Sequence, residues 1–479
     1  MDGCVCVEFP AELDSLPLPI PWRNNVRKFL LLSLLVSAVW SYAQEPVPSN
    51  FFGMDLHCCA INGTAKAKEP WPSVPLGSIR LWDSATMWFQ LNPSPGVYNW
   101  EVLDSWLDHA EAHHQEVIYT FGGIPTWASG DRNDPKCKSW NTPGSCHPPA
   151  DISDSGSGSN QAFKDFVTAI ARHAHGRIKY WEVWNEPHNL FFWHGSMEQM
   201  VRMTQDLRSI VKGIDPDAVI ISPGTGWDDP HPETGKSDWN GTIWTDRYLA
   251  AGGKKYIDVV ATHAYLHGQC PTGYFDSDQI AVRAKNFHEI MKRNGIGDMP
   301  LWSTEGSWGP VSKFCTADPD MQVAFVGQYH IAIWAAGIKR AYWYSWNDST
   351  GVGVLWDQSE RPPHAGENYG KMFNGIRPAG TAYGEVSQWM VGATSSGCSK
   401  NKSQTSCPFT RPDGSEYLAL WDSAQTCAQG SCTTTTAKVD PMYVDYLDLA
   451  GGKTKIQNST VPVGLKPIWL EAPGGSKRK

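Results

Sequence analysis

Charge of one sign is nowhere concentrated in this chain: a formal net charge of -9 is spread along 479 residues without a long acidic or basic run. A nucleic-acid backbone or an anionic bilayer would need a dense basic patch, so neither is an expected partner. Three sequence devices are also missing. There is no Gly-x-Ser-x-Gly elbow, no His-Glu-x-x-His helix and no phosphate-cradling loop, so nothing points to an elbow-type serine hydrolase, a zinc peptidase or a nucleotide enzyme. No cofactor and no metal is implied. Long apolar runs are absent apart from residues 29–40, and that run is too short to cross a bilayer comfortably.

That run follows Arg23, Arg27 and Lys28 and precedes Ser41, Tyr42 and Ala43, the order of charged, apolar and small residues in a secretory signal. Cleavage after Ala43 is expected, leaving a chain from Gln44 that is secreted or periplasmic and no longer attached to a membrane. Residues 1–25 lie upstream of the signal without helix or strand pattern. Val26 as the true initiator accounts for them, with an uncleaved anchor as the alternative. Of the 12 cysteines, only Cys4 and Cys6 precede the cleavage point, and an even set in an exported protein more often forms disulfides than metal sites. Cys137 with Cys146, Cys398 with Cys407, and Cys427 with Cys432 are near enough in sequence to staple their own loops. Cys270 and Cys315 are candidates to join two loops of one face, Cys58 and Cys59 are hard to place, and the connectivity stays open. A zinc site from Cys398, Cys407, Cys427 and Cys432 would need the paired Cys-x-x-Cys spacings of a zinc ribbon, which are absent.

A hydrophobic content of 41% in a chain of this length supports one large domain and a smaller one. After Gln44, short β-branched or aromatic runs alternate with amphipathic stretches. Eight strand-like runs cover 52–57, 78–82, 116–121, 178–185, 218–222, 257–263, 301–305 and 340–346. Helical patterns lie between them at 99–114, 161–175, 196–214, 277–294 and 320–337. Eight strands with helical crossovers are the count of a (β/α)₈ TIM barrel, assigned to residues 44–393. A doubly wound sheet would announce a Gly-rich turn after its first strand, and Phe52-Gly53-Met54-Asp55-Leu56-His57 has none. The enlarged loops 131–160 and 348–377 follow strands and so belong to the active face. From about Thr394 the pattern becomes Thr-rich and alternating, with strands expected at 417–421, 433–439, 444–449, 454–456 and 467–471. Residues 394–479 are therefore read as a small antiparallel, β-sandwich-like domain, ending in a disordered tail at 474–479.

Two runs deliver a glutamate at a strand end: Trp181-Glu182-Val183-Trp184-Asn185-Glu186-Pro187 and Leu301-Trp302-Ser303-Thr304-Glu305-Gly306. In one parallel barrel, Glu186 and Glu305 would meet on the same face. The period of two places Glu182, Trp184 and Glu186 on one side of the fourth strand. Glu186 is favoured as the chemical group because Pro187 restricts its backbone and stops the strand there. Glu182, lower down, is expected in a buried ion pair with Arg80. His57 either binds substrate or closes the first strand. Trp88, Trp127, Trp193 and Trp308 are read as buried, with one or two placed to stack on a ligand. His113 and His114 are expected on an exposed helix face.

Trp184-Asn185-Glu186-Pro187 followed by a second strand-end glutamate resembles the retaining glycoside hydrolases of clan A. Its continuation through Asn189 and Phe192-Trp193 is most similar to family 39, with family 5 next. The clan resemblance covers roughly residues 51–390. It implies Glu186 as general acid/base, Glu305 as nucleophile and Asn185 as the side chain that binds the sugar 2-hydroxyl. It further implies Arg80 as support for the nucleophile, His263 and Tyr265 as neighbours of the carboxylates, and Trp346 as the sugar platform. Gly306-Ser307-Trp308 departs from family 39, where an aromatic and an asparagine commonly follow the glutamate.

Two carboxyls suit this chemistry because one attacks the anomeric carbon while the other protonates the leaving oxygen. Like charge at ~5 Å is expected to raise the pKa of one partner and keep Glu186 protonated. Arg80 would keep Glu305 ionised, and Tyr265 would orient it. The expected substrate is a β-linked oligo- or polysaccharide. A non-catalytic sugar-binding barrel, or a transglycosylase using the same covalent intermediate, is the alternative. The sugar, exo or endo action and the oligomeric state are not encoded in any motif.

Overall fold

The computed structural model describes residues 45–57, 70–134, 137, 142–227, 240–266, 276–308, 318–347, 353–357, 375–428 and 430–473. The signal-like run, Cys58, Cys59, Cys270, Cys315, the terminal tail and most of the 348–377 loop lie outside these residues.

Eight short strands form where apolar runs were expected: β1 (Phe52–Asp55), β2 (Ser78–Leu81), β3 (Glu116–Thr120), β4 (Tyr180–Glu182), β5 (Val219–Ile221), β6 (Val260–His263), β7 (Leu301–Glu305) and β8 (Ala341–Trp343). They pair in the order β5-β4-β3-β2-β1-β8-β7-β6. Isolated parallel bridges, Ile221 to Val259 and Gly226 to His263, close the ring between β5 and β6. Among the described residues, seven helices of ten residues or more follow the strands: α1 (Glu101–Ala112), α2 (Gln161–His173), α3 (Met197–Ile214), α4 (Gly241–Ala250), α5 (Asp278–Arg293), α6 (Pro319–Ala335) and α7 (Pro378–Met390). With helices outside and side chains within, the strands are buried on both faces, which is why they read as nearly continuous apolar runs.

The helices are set by ordinary signals. On α2, Phe163, Phe166, Val167 and Ile170 form the buried stripe. Ser196 and Gln199 exchange side-chain and backbone hydrogen bonds in a capping box that starts α3. Asp318 caps α6, with Pro319 at its first position. That helix is buried on almost every side because the C-terminal strands cover its outer face. Gln328 Nε2 donates to Leu465 O at 2.7 Å, and Lys466 pairs with Asp320 at 2.5 Å.

From Thr394 the strands are antiparallel. A seven-stranded sheet runs, in spatial order, through Thr394–Ser395, Gln404–Thr410, Glu416–Asp422, Ile468–Glu471, Asp445–Leu447 and Lys453–Lys455, with Ser399–Asn401 also on Gln404–Thr410. Thr434–Lys438 pairs with Thr460–Gly464. Gln404–Thr410 went unread in the sequence because Pro408 interrupts it. Pro408 is tolerated because it lies between the residues paired to Ser399–Asn401 and those paired to Thr394–Ser395, so no partner on that edge needs its missing N–H. Trp389 on α7 stacks on Trp469 of the sheet, and the chain from Gln44 forms one compact unit. Cys137–Cys146, Cys398–Cys407 and Cys427–Cys432 are disulfide-bonded, which replaces the zinc reading of the last four. Among the described residues, no helix is long and apolar enough to cross a membrane.

His330 on α6 shows how far this core excludes charge. It is fully buried, lies between Phe52 and Trp343, and donates from Nδ1 to Val326 O at 2.8 Å. Burial pushes its pKa down to about 4, whereas the unfolded chain would titrate near ~6.5. Between these values the unfolded state binds the extra proton, so stability is full above about pH 6.5 and is lost as pH falls toward 4, by about 3 kcal/mol. His330→Phe, which keeps the ring stack, should flatten this part of the pH profile in urea unfolding at pH 4.5 and 7. An unaltered slope would show that the acid sensitivity originates elsewhere.

Candidate active site

The barrel interior is layered. Its lower layer is an apolar plug of Ile118, Tyr180, Ile221, Ala261, Trp302 and Tyr342. Gly53 makes room for it, since a Cβ there would stand 2.5 Å from the Tyr342 ring. The Arg340 guanidinium lies over Trp302 and Tyr180, 4.2 and 4.4 Å from their ring centres. One inward position further along each strand, the layer turns polar: Asp55, Arg80, Thr120, Glu182, His263 and Glu305, all buried. On β7 the inward step from Trp302 to Glu305 is three residues rather than two. The β6–β7 register shifts so that Thr262 faces Ser303 while His263 faces Glu305. This irregularity aims a glutamate, rather than Thr304, into the barrel.

Arg80 sits at the centre of that layer with no exposed surface. Its Nε donates to Glu182 at 2.7 Å, Nη1 to Asp55 at 3.0 Å and to Glu305 at 2.6 Å, and Nη2 to Asn185 Oδ1 at 2.8 Å. Glu182 therefore makes the expected ion pair and also accepts from Thr120 at 2.7 Å. Because Asn185 offers its oxygen to Arg80, its amide nitrogen is left as the donor for a ligand. Tyr265 donates to Glu305 Oε2 at 2.8 Å, so both oxygens of Glu305 are held, one by a cation and one by a phenol. His263 Nδ1 lies 2.8 Å from Glu186 Oε1 and 3.3 Å from Glu305 Oε2. Facing oxygens of the two glutamates and this nitrogen are all within 4.8 Å of one another. Such a grouping has metal-ligand spacing, but the guanidinium already on Glu305 supplies the positive charge there.

Glu186 reaches the site by a route the strand period did not anticipate. The β4 ladder ends at Glu182, and Glu186 takes φ +42°, a left-handed conformation uncommon for a side chain. The extended backbone expected before Pro187 is thus not adopted. The turn is held by Glu186 N–H to Gly224 O at 2.8 Å and Gly224 N–H to Trp184 O at 3.1 Å. Gly224 has to be glycine: a Cβ would lie 2.3 Å from His263 Nε2. As a result Asn185 and Glu186, adjacent in sequence, both serve the same cluster. Glu186 is the more open of the two acids, with 20% of its side chain exposed against 7% for Glu305.

Protonation differs from the expectation based on like charge alone. Burial tends to raise the pKa of Glu186, but the hydrogen bond and charge of His263 override it and hold the group at about 2. Burial opposes charge on His263, yet Glu305 and Glu186 together raise its pKa. Burial raises Glu305, Glu186 adds to the rise, and His263 and Arg80 counter it. The two carboxylates thus favour the charged form of His263, and His263 in turn favours the charged form of Glu186. Burial lifts Tyr265 well above the usual phenol range and keeps it a donor. Burial likewise raises Asp55, which Arg80 only partly offsets.

Trp346, expected as the sugar platform, is fully buried, and its indole N–H points to Pro70 O at 3.3 Å. The ring from this strand end that stands beside the site is Tyr344. It contacts Tyr265 and His57 and donates to Asp83 at 2.5 Å. His57 lies against that ring, and its backbone N–H donates to Asn347. Trp88, Trp193 and Trp308 are buried and only Trp127 is partly open, so stacking is not available to the first three. His113 and His114 are exposed. Asp55 was missed, although it is the one charge in an otherwise apolar first strand. Also missed was His188, which burial pushes down to about 4 beside Glu186.

No protein-family model matches the sequence, and no curated protein matches it. Solved structures do match. A family 39 glycoside hydrolase from the gut symbiont Bacteroides cellulosilyticus WH2 aligns at TM-score 0.61 and 16% identity, over 89% of this chain and 81% of that one. The fold is the one these glycoside hydrolases share. The GH39 enzyme from Xanthomonas axonopodis pv. citri aligns at TM-score 0.56 and 15% identity, over 90% and 96% of the two chains. A monomeric beta-xylosidase from Caulobacter crescentus CB15 aligns at 0.54 and 14%, over 90% and 98%. The (β/α)₈ barrel read from the spaced motifs thus agrees with the architecture of these neighbours. At such identities the likeness carries the fold, and chemistry has to be argued from the side chains.

Proposed function

We propose that this chain hydrolyses β-glycosidic bonds of an oligo- or polysaccharide with retention, Glu305 acting as nucleophile and Glu186 as acid/base. The observation that carries the proposal is the close approach of the two acids, with oxygens within 4.8 Å and both oxygens of Glu305 held. This spacing suits direct attack, for which the carboxyls stand ~5 Å apart, and leaves no room for the intervening water of an inverting site at ~6.5–9.5 Å. Arg80 and Tyr265 aim Glu305 at the anomeric carbon. As the glycosidic oxygen arrives, the proton held by His263 passes to Glu186 and on to the leaving group. Glu186, then ionised, takes a proton from water, which cleaves the Glu305 ester. The amide N–H of Asn185 binds the 2-hydroxyl, a bond that strengthens in the oxocarbenium-like transition state. The disulfides among the described residues favour an oxidising compartment and hence export.

Hydrolysis of a panel of aryl β-glycosides and β-linked polysaccharides, with the first-formed anomer followed by NMR, tests this reading. Glu186→Ala should lose about 10²–10⁴-fold on sugar leaving groups and little on a dinitrophenolate, which leaves without a proton. Azide should restore turnover and give the β-azide. Equal loss on both leaving groups would remove Glu186 from the acid role, and an α-anomer as first product would exclude retention.

A further inference from the structure

A second cluster lies outside this site, on the loops that follow β3 and β4. We propose that Asp134, His147 and His194 form a binding site for a divalent transition metal, with Zn²⁺ the best match to the donors. His147 Nε2 and His194 Nδ1 each lie 2.9 Å from the same oxygen, Asp134 Oδ2. The imidazoles approach edge to face with ring centres 4.9 Å apart. All three donor atoms fall within 4.8 Å of one another. Tetrahedral zinc with ligands at about 2.0–2.1 Å separates them by about 3.3 Å, so the two nitrogen–oxygen pairs need to open by only a few tenths of an ångström to admit the ion. Two imidazoles and a carboxylate are borderline donors that zinc accepts, whereas calcium and magnesium prefer oxygen alone.

The backbone holds these residues together without an ion. Cys137, three residues after Asp134, is bonded to Cys146, which precedes His147. His194 N–H donates to Cys146 O at 2.8 Å. Binding therefore requires little ordering of the chain. The side chains keep 17%, 19% and 14% exposure for Asp134, His147 and His194, enough for an ion to enter with a water as fourth ligand. Occupied, the site would tie the loop after β3 to the segment after β4 that begins with Glu186, and it would act as a structural cross-link.

The full chain, stripped with a chelator and titrated with ZnCl₂ by calorimetry, should take up one ion per chain, confirmed by elemental analysis after gel filtration. The unfolding temperature should rise with zinc. The double variant His147→Ala/His194→Ala should bind at least about 100-fold more weakly and show no thermal response. His147→Gln, which keeps polar volume, serves if the double variant does not fold. Wild-type affinity retained in these variants would assign the ion elsewhere, to Glu186, His263 and Glu305 for example, and would overturn the proposal. So would the absence of saturable binding by the wild-type chain.

Discussion

With Glu305 replaced by alanine, turnover of any β-glycoside the native chain cleaves is expected to fall by about 10⁵-fold, about 7 kcal/mol of transition-state stabilisation. The effect should be this large because the carboxylate is fixed before substrate arrives, by Arg80 at 2.6 Å and Tyr265 at 2.8 Å. Water in the vacated space would have no such orientation. Added azide should attack the β-glycoside from the side Glu305 occupied and give an α-azide, the mirror of the outcome for Glu186→Ala. Residual turnover within tenfold of the native rate, or a β-azide, would take the nucleophile's role away from Glu305.

Arg80→Met should cost about 3–5 kcal/mol of folding stability, read from urea unfolding, and abolish turnover with it. The methionine roughly fills the volume but leaves Asp55, Glu182 and Glu305 facing one another around a lost cation, with the Asn185 oxygen unpaired. Carboxyls buried without a partner titrate above their unfolded values, so the folded variant binds more protons than its unfolded chain. The deficit should accordingly be largest at neutral pH and above, and shrink as pH falls toward 4. Arg80→Lys should recover only part of the loss, since an ammonium cannot address these acceptors in the fork geometry of a guanidinium. A variant as stable as the native chain would mean that the acids relieve one another by sharing protons.

Much of this arrangement was legible in the sequence, and the rest was not for identifiable reasons. Strands buried on both faces announce themselves as apolar runs, so β1 to β8 fell where expected, and the Glu182–Arg80 pair followed from depth along β4. The period of two holds only while a ladder lasts. Past Glu182 it misreads the turn that brings Asn185 and Glu186 to one side, and past Trp343 it does not separate Tyr344 from Trp346, which the resemblance pointed to and which is buried. Asp55 was hidden inside an apolar run. The protonation of Glu186 depends on a nitrogen 2.8 Å away from a residue 77 positions later, which no local pattern encodes. Strands Gln404–Thr410 and Thr460–Gly464 each contain a proline, and propensity alone demotes them.

The three-residue step on β7 makes that strand two rulers joined at Thr304. Below the joint, spacing answers to the plug of rings that keeps the barrel closed, and above it to the pairing of His263 with Glu305. The phase of one half does not dictate that of the other. A volume-conserving exchange in the plug should therefore leave the acid facing its cleft, and a change at the rim should leave the floor closed.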